Sequence, residues 1–579
     1  MGLKHTMAFG CIPDARAGYH GLLLGLLGVM AMPAAAQTAA EAPAPVDSAQ
    51  QAAPQEGQRA PDTFPVYAID VTGVTRLSSA EIERIVYRYT GPARTNADME
   101  AARVAIQDAY TQKGYEAVIV ALPNQDISLF SQGVITIAVA ESPVGEVKVA
   151  DGKYHSGEAV RRQLASVKPG EPLNLKALQS DLDAANRYPD RQVTPVFVPG
   201  KEPGTLDVEF NVESKLPVHV SLELNSDNSP STTRLRANGT VKYTNLWNAG
   251  HTISASVVVA PQKISDSKVF SGSYTAPLLG TPWTLLLYGY KSNSNIAALG
   301  GSNVLGNGYQ VGVKAIYRLP VTGTSQSLSI GADYKSFKQD ILIGGVNAAS
   351  TPIRYVPLTA EYSLFARDDS SGFAKKIGVS DFGATLGATF GLRAIKRDIC
   401  ASELQNPCIP DDQFQNREVD SIENFVHFNA GLNYSLTTKS DVVLATALSA
   451  QVADSHLVTN EQFAAGGLSS VRGYFQSEAV GDNGVTTSLE LQAPSLDHFI
   501  GKWVDELRVF GFFDAGYVKV KQILPGQTSV FRLAGAGGGA RLRVFDTLFG
   551  ELTLAWPLRD GPETAKGDPR VVFVVRGEF

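Results

Sequence analysis

Helical periodicity stops near residue 217, and from there to Phe579 apolar and polar residues alternate with a period of two. This constrains the chain more than any other feature. Eight strands are predicted near 218–226, 234–245, 250–260, 268–277, 282–292, 308–318, 326–338 and 354–366. Eight more follow near 379–393, 423–436, 440–452, 484–494, 506–518, 532–545, 549–556 and 570–579. Sixteen is an even number, as single-chain bacterial outer-membrane barrels require. The connections after odd strands include long ones at 293–307, 339–353, 394–422 and 453–483, whereas most others are short. Long loops at one end and tight turns at the other fit surface loops and periplasmic turns. The pattern predicts a 16-stranded antiparallel transmembrane β-barrel over residues 216–579.

Composition agrees. Charged residues make up 18% of the chain, below the ~25% usual for soluble proteins. The net charge of -7 gives no footprint for nucleic acid. Beyond the N-terminus there is no run of about 18 apolar residues, so helical spans are not expected.

The first half has a different rhythm. Residues 64–142 read as β-α-α-β-β, with Ser78-x-x-Glu81 as a capping box and Gly114 as a helix stop. Residues 143–215 repeat the scheme. Both copies close alike, from Gly133 to Glu141-Ser142 and from Gly204 to Glu213-Ser214. Residues 1–36 read as a secretory signal, with an apolar run from Gly21 to Ala31 and a small-residue cleavage site at Ala34-Ala35-Ala36. Residues 37–63, rich in Ala, Pro and Gln, read as a linker or a Pro-broken plug segment. Cys400 and Cys408 lie close together in a polar stretch and are expected to form a disulfide in an oxidising compartment.

Two short strings carry the functional signal. Val471-Arg472-Gly473-Tyr474 lies in the long connection before strand twelve, and Phe512-x-Asp514-x-Gly516 lies in strand thirteen. Asp514 must point inward, because a carboxylate facing lipid is expensive. Thr486, Ser488, Glu490 and Gln492 form the polar face of strand twelve. On residue type alone, Arg472 is a solvated loop charge, since exposed Arg is the norm. The terminal strand places Val571, Phe573, Val575, Gly577 and Phe579 on one face, suited to lipid, and ends on a Phe of the kind read by barrel-assembly machinery.

Taken together, two β-α-α-β-β modules, sixteen strands and these two strings in this order resemble the outer-membrane transporters of two-partner secretion. These are the haemolysin- or filamentous-haemagglutinin-type secretion proteins, which carry POTRA domains. The resemblance implies POTRA modules in the periplasm and a barrel in the outer membrane. It implies a large secreted exoprotein partner, recognised through an N-terminal secretion domain and exported without ATP. Periplasmic chaperones and the assembly machinery would act during biogenesis. It also implies an inward-folded loop 453–483 with Arg472 against Asp514; Glu490 is the other candidate partner. An assembly factor for outer-membrane proteins and a passive porin are the alternatives.

Other features lead nowhere. Gly535-Ala536-Gly537-Gly538-Gly539-Ala540 resembles a dinucleotide-binding string but lies in a strand with no helix after it. No G-x-S-x-G occurs, and the eight His residues show no metal spacing. Neither an active site, a cofactor nor a metal is expected.

Overall fold

The computed structural model describes residues 63–579 apart from 187, 189, 300–301, 322, 339, 344–345, 368–377, 393–398, 401–409 and 524–526. The signal and linker expected before residue 63, and the Cys400–Cys408 disulfide, fall outside the described residues. The chain divides into two compact units that meet in sequence between Leu216 and Pro217.

The N-terminal unit holds two α+β modules. In the first, Ala68–Thr72 pairs in parallel with Val134–Ala140, which pairs antiparallel with Ile119–Ala121. Helix Ser79–Val86 starts with the reciprocal Ser78/Glu81 capping box. Helix Asn96–Gln112 opens on a second box, formed by Thr95 and Asp98. Its residues Ala102, Ile106 and Tyr110, spaced four apart on one face, pack on Val120 and Ile137. In the second module, Val144–Val149 runs parallel to Leu206–Ser214, and Arg191–Pro199 lies antiparallel on its other side. The sheet order is therefore the same in both copies.

The second module's first helix, Gly157–Arg161, is short. The Arg161 guanidinium explains the change of path: it donates to the carbonyls of Leu164 (2.9 Å) and Val167 (2.8 Å), holding the chain in turns. Asn174 joins the copies. Its side chain caps helix Leu175–Ala185 at Ala177 N (2.9 Å) while its amide donates to the Lys113 carbonyl (2.9 Å). Gly114, at φ +89°, lets the chain pass so close that a Cβ there would lie 2.5 Å from Asn174 Oδ1.

Glu141, at the end of the first module, is a buried carboxylate with a full set of donors. It accepts from Thr75 N (2.7 Å), Arg76 N (3.0 Å), the Tyr110 hydroxyl (2.6 Å) and the Thr75 hydroxyl. Burial pushes this carboxyl up, but those hydrogen bonds outweigh it and hold it below the ordinary glutamate value. A depressed folded value stabilises the module above the unfolded value of ~4.3 and stops doing so as pH falls through the folded value. Glu141→Gln is expected to cost about 1.5–3 kcal/mol at pH 7. Hydrogen exchange of Ile106 and Ile137 amides in the full-length protein measures this. Protection should fall roughly tenfold or more at pH 7, with the gap closing in acid. Equal protection at pH 7 would remove Glu141 from the stability of the module.

The C-terminal unit is a closed antiparallel barrel of sixteen strands, the eighth broken into Ile353–Tyr355 and Leu358–Arg367. Strand one, Val218–Asn225, and strand sixteen, Arg570–Glu578, close the ring. No described helix is long and apolar enough to cross a membrane. The alternation sets each strand's faces: outward Leu489, Phe513, Leu552 and Val571 are half exposed, as a lipid-facing belt requires.

Two expected loops prove to be largely strand. Strands five and six, Trp283–Leu299 and Ser302–Arg318, stay paired beyond residue 293, as far as Leu299 and Ser302. Residues 339–353 contain a small hairpin of Asp340–Ile343 with Val346–Ser350. Backbone pairing continues where the apolar alternation ends, because a ladder outside the lipid needs no greasy face.

Candidate functional site

The connection between strand eleven, Val443–Ala453, and strand twelve, Asn483–Gln492, folds against the inner face of the barrel wall. Its hinge chemistry is visible in the sequence. Gly466, Gly467 and Gly473 have φ of +115°, +93° and +100°, and Ser477 also has a positive φ. Val471 and Tyr474 are buried with Phe463, Ala465, Ala479, Val518 and Leu533. The Tyr474 hydroxyl donates to the Arg559 carbonyl (2.8 Å) and accepts from Ala534 N (3.2 Å).

Between these two anchors sits Arg472. Its Nε and Nη2 donate to the two oxygens of Asp514 at 2.7 and 2.9 Å, a forked pairing, and its backbone N–H reaches the same carboxylate at 3.0 Å. Its Nη1 donates to Glu490 at 2.5 Å and Nη2 to the Ser488 hydroxyl at 3.0 Å. The two candidate partners are therefore both engaged. Strand register makes this possible: Ser488 lies opposite Asp514, and Glu490 lies opposite Phe512, on neighbouring strands. Asp514, on strand thirteen (Val504–Lys519), is 0% exposed, so this is not a solvated pair.

The aromatic residues beneath complete the site. The Arg472 guanidinium lies over the Phe512 ring at 3.6 Å. A second cation, Arg541 on strand fourteen (Val530–Val544), lies over Phe510 at 4.3 Å. Arg541 also bonds Glu490 (2.5 Å) and Glu551 (2.8 Å). Glu490 thus bridges two arginines, a role the sequence does not announce. Arg541 shares the inward face of its strand with Gly535, Gly537 and Gly539, and that shared face is the signal that could have found it.

The glycine string now has a structural reason. A Cβ on Gly535 would sit 1.9 Å from the Arg472 carbonyl, and one on Gly516 would sit 2.9 Å from Val471. Gly537 and Gly539 make room for the Phe512 and Phe510 rings. The bare stretch of wall receives the loop and its aromatic floor.

The rest of the loop reaches the closure seam. Leu468 N donates to Asp227 (3.2 Å) and Gln476 N to the Asn228 carbonyl (3.0 Å), just past strand one. Glu478 accepts from Glu563 N (2.9 Å) and Thr564 N (2.8 Å), before strand sixteen, and Phe475 lies under Arg570 at 3.7 Å. The seam itself has five register pairs, against eight in the neighbouring ladders. Phe579 extends it by exchanging backbone bonds with Val220 (2.8 and 2.9 Å), while its ring stays exposed on the outer face.

Comparison with known proteins bears on these residues directly. Residues 373–542, which include both strings, match the family model for haemolysin secretion/activation proteins ShlB/FhaC/HecB. Residues 64–142 match the ShlB-type POTRA domain. The outer membrane transporter CdiB of Escherichia coli O6:K15:H31 (strain 536 / UPEC) is 27% identical over 182 residues, 31% of this chain and 30% of the relative. The heme/hemopexin transporter protein HuxB of Haemophilus influenzae is 22% identical over 496 residues, 83% of this chain and 80% of the relative. The matches to CdiB sequences span about 30% of those relatives' own length. The solved structure of CdiB from Escherichia coli superposes with a TM-score of 0.65 at 20% identity, covering 91% of this chain and 93% of that one, a likeness of fold. A ShlB-type POTRA module, a closed sixteen-stranded barrel and a matched segment that holds the inward loop make this chain a POTRA-bearing outer-membrane β-barrel protein, similar in both matched segments to the haemolysin secretion/activation proteins.

Proposed function

We propose that the chain recognises a large secreted exoprotein in the periplasm through its POTRA modules and passes it through the barrel lumen to the cell surface, without ATP. The observation that carries this reading is the Arg472 cluster. A protein-conducting barrel needs a closed resting state and a means of opening, and a loop fastened to the inner wall by charge-assisted bonds supplies both. The role is one of transport, with no catalytic step. Recognition falls to the POTRA edge strands, which offer unpaired backbone groups for an extended client segment.

Deleting the gene and comparing secreted proteins tests the proposal. Loss of one large exoprotein from the medium, restored by the wild-type gene, is the expected result. A general defect in outer-membrane proteins would instead indicate an assembly factor. An unchanged set of secreted proteins with loss of small-solute uptake would indicate a porin.

A further inference from the structure

Besides the Arg472 cluster and the contacts at the seam, the inward loop has a further charged fastening on its first limb. Some ten residues before Arg472, the short turn Thr459–Glu461 places a second buried carboxylate against a different part of the wall. Glu461 Oε1 accepts from Lys335 Nζ (2.6 Å) and from the Tyr355 hydroxyl (2.5 Å), and its Oε2 lies 3.4 Å from His427 Nε2. His427 is held in turn by Asn429, at 2.6 Å. The Glu461 carbonyl accepts from Gln451 (2.9 Å). These partners stand on strands seven (Ser325–Lys338), eight, ten (Val426–Thr437) and eleven. The Arg472 partners stand on strands twelve and thirteen. Apolar packing reinforces the turn, since Leu457 and Val458 are buried with Phe337, Ile353, Tyr355, Phe414 and Phe425.

We infer that Glu461 is a second positioning residue for the loop, fastening its first limb to strands seven, eight and ten independently of Arg472. The inference rests on the transport reading only for its biological meaning. Three points of geometry support it. The carboxylate is almost wholly buried, so it persists as a charge only where it is paired. Its donors come from three strands that touch none of the Arg472 cluster. The loop spans the gap between the two clusters, so freeing its whole length includes breaking both.

Planar-bilayer conductance of the purified full-length protein tests this without any partner. Glu461→Gln and Arg472→Ala should each raise the open probability at least tenfold. Independent fastenings of one equilibrium add in free energy, so the double variant should raise it by about the product of the two. Lys335→Met removes the same ion pair from the wall side, and Lys335→Arg should keep the pore closed. Heat-dependent mobility on detergent gels reports the folded barrel in each case.

The inference is overturned if folded Glu461→Gln or Lys335→Met is as closed as wild type, or if the double variant is no more open than Arg472→Ala. Loss of the folded barrel in both Glu461→Gln and Lys335→Met would also overturn it, because Glu461 would then serve folding. A wild-type strain that secretes no exoprotein would sink the transport reading and leave the conductance result standing.

Discussion

Asp514→Arg is expected to abolish export while leaving a folded barrel in the outer membrane. The substitution puts a second cation where Arg472 has three of its bonds, and it strands Arg472 in a site with almost no water. Breaking a buried ion pair by changing one partner costs about 3–5 kcal/mol, more than enough to displace a loop from its seat. The measurement is exoprotein in the medium alongside barrel abundance and heat-modifiability in the membrane fraction. Normal secretion from a strain carrying Asp514→Arg would rule out the pairing as a requirement for transport. Exchanging the charges, Arg472→Asp with Asp514→Arg, should restore little. Glu490 lies 2.5 Å from Arg472 Nη1, so the exchanged carboxylate would meet another carboxylate. A simple two-residue pair would be restored by exchange; a cluster of two arginines sharing Glu490 would not.

Gly535→Ala is the second large effect expected, and it involves no charge at all. The added methyl carbon would lie 1.9 Å from the Arg472 carbonyl, backbone against backbone, where no side chain can rotate away. Overpacking of this kind costs about 1–3 kcal/mol, and here the cheapest relief is for the loop to leave the wall. Secretion should fall and bilayer conductance should become unstable. Gly550→Ala serves as the control in the next strand, because a Cβ there meets nothing within 4 Å. If Gly535→Ala secretes like Gly550→Ala, the loop is not seated on that glycine during transport.

Much of this molecule is legible from its sequence, for identifiable reasons. A strand that faces lipid on one side and a wet lumen on the other must alternate, so strand positions could be read residue by residue. The inward aim of Asp514 followed from the same rule. What could not be read depends on distance in the chain. The short strands Phe64–Val66 and Gly91–Arg94 pair only with each other, and neither has a pattern of its own. Arg541 resembles any charge on a lumen face until Glu490 is placed beside it. Glu461 sits in a loop with no motif around it, and its donors lie 34 to 126 residues away. The glycine string is legible as part of a strand, but what packs there, the carbonyl of Arg472, is visible only when the loop is in place.

The loop also lies across the barrel's weakest join. Its contacts with Asp227, Asn228, Thr564 and Arg570 fall on both sides of the five-pair ladder that closes the ring. The loop therefore acts as a staple. Withdrawing it removes cross-braces from the shortest hem of the cylinder. On the proposed transport reading, a cargo that pushes the loop aside would also loosen the hoop around itself.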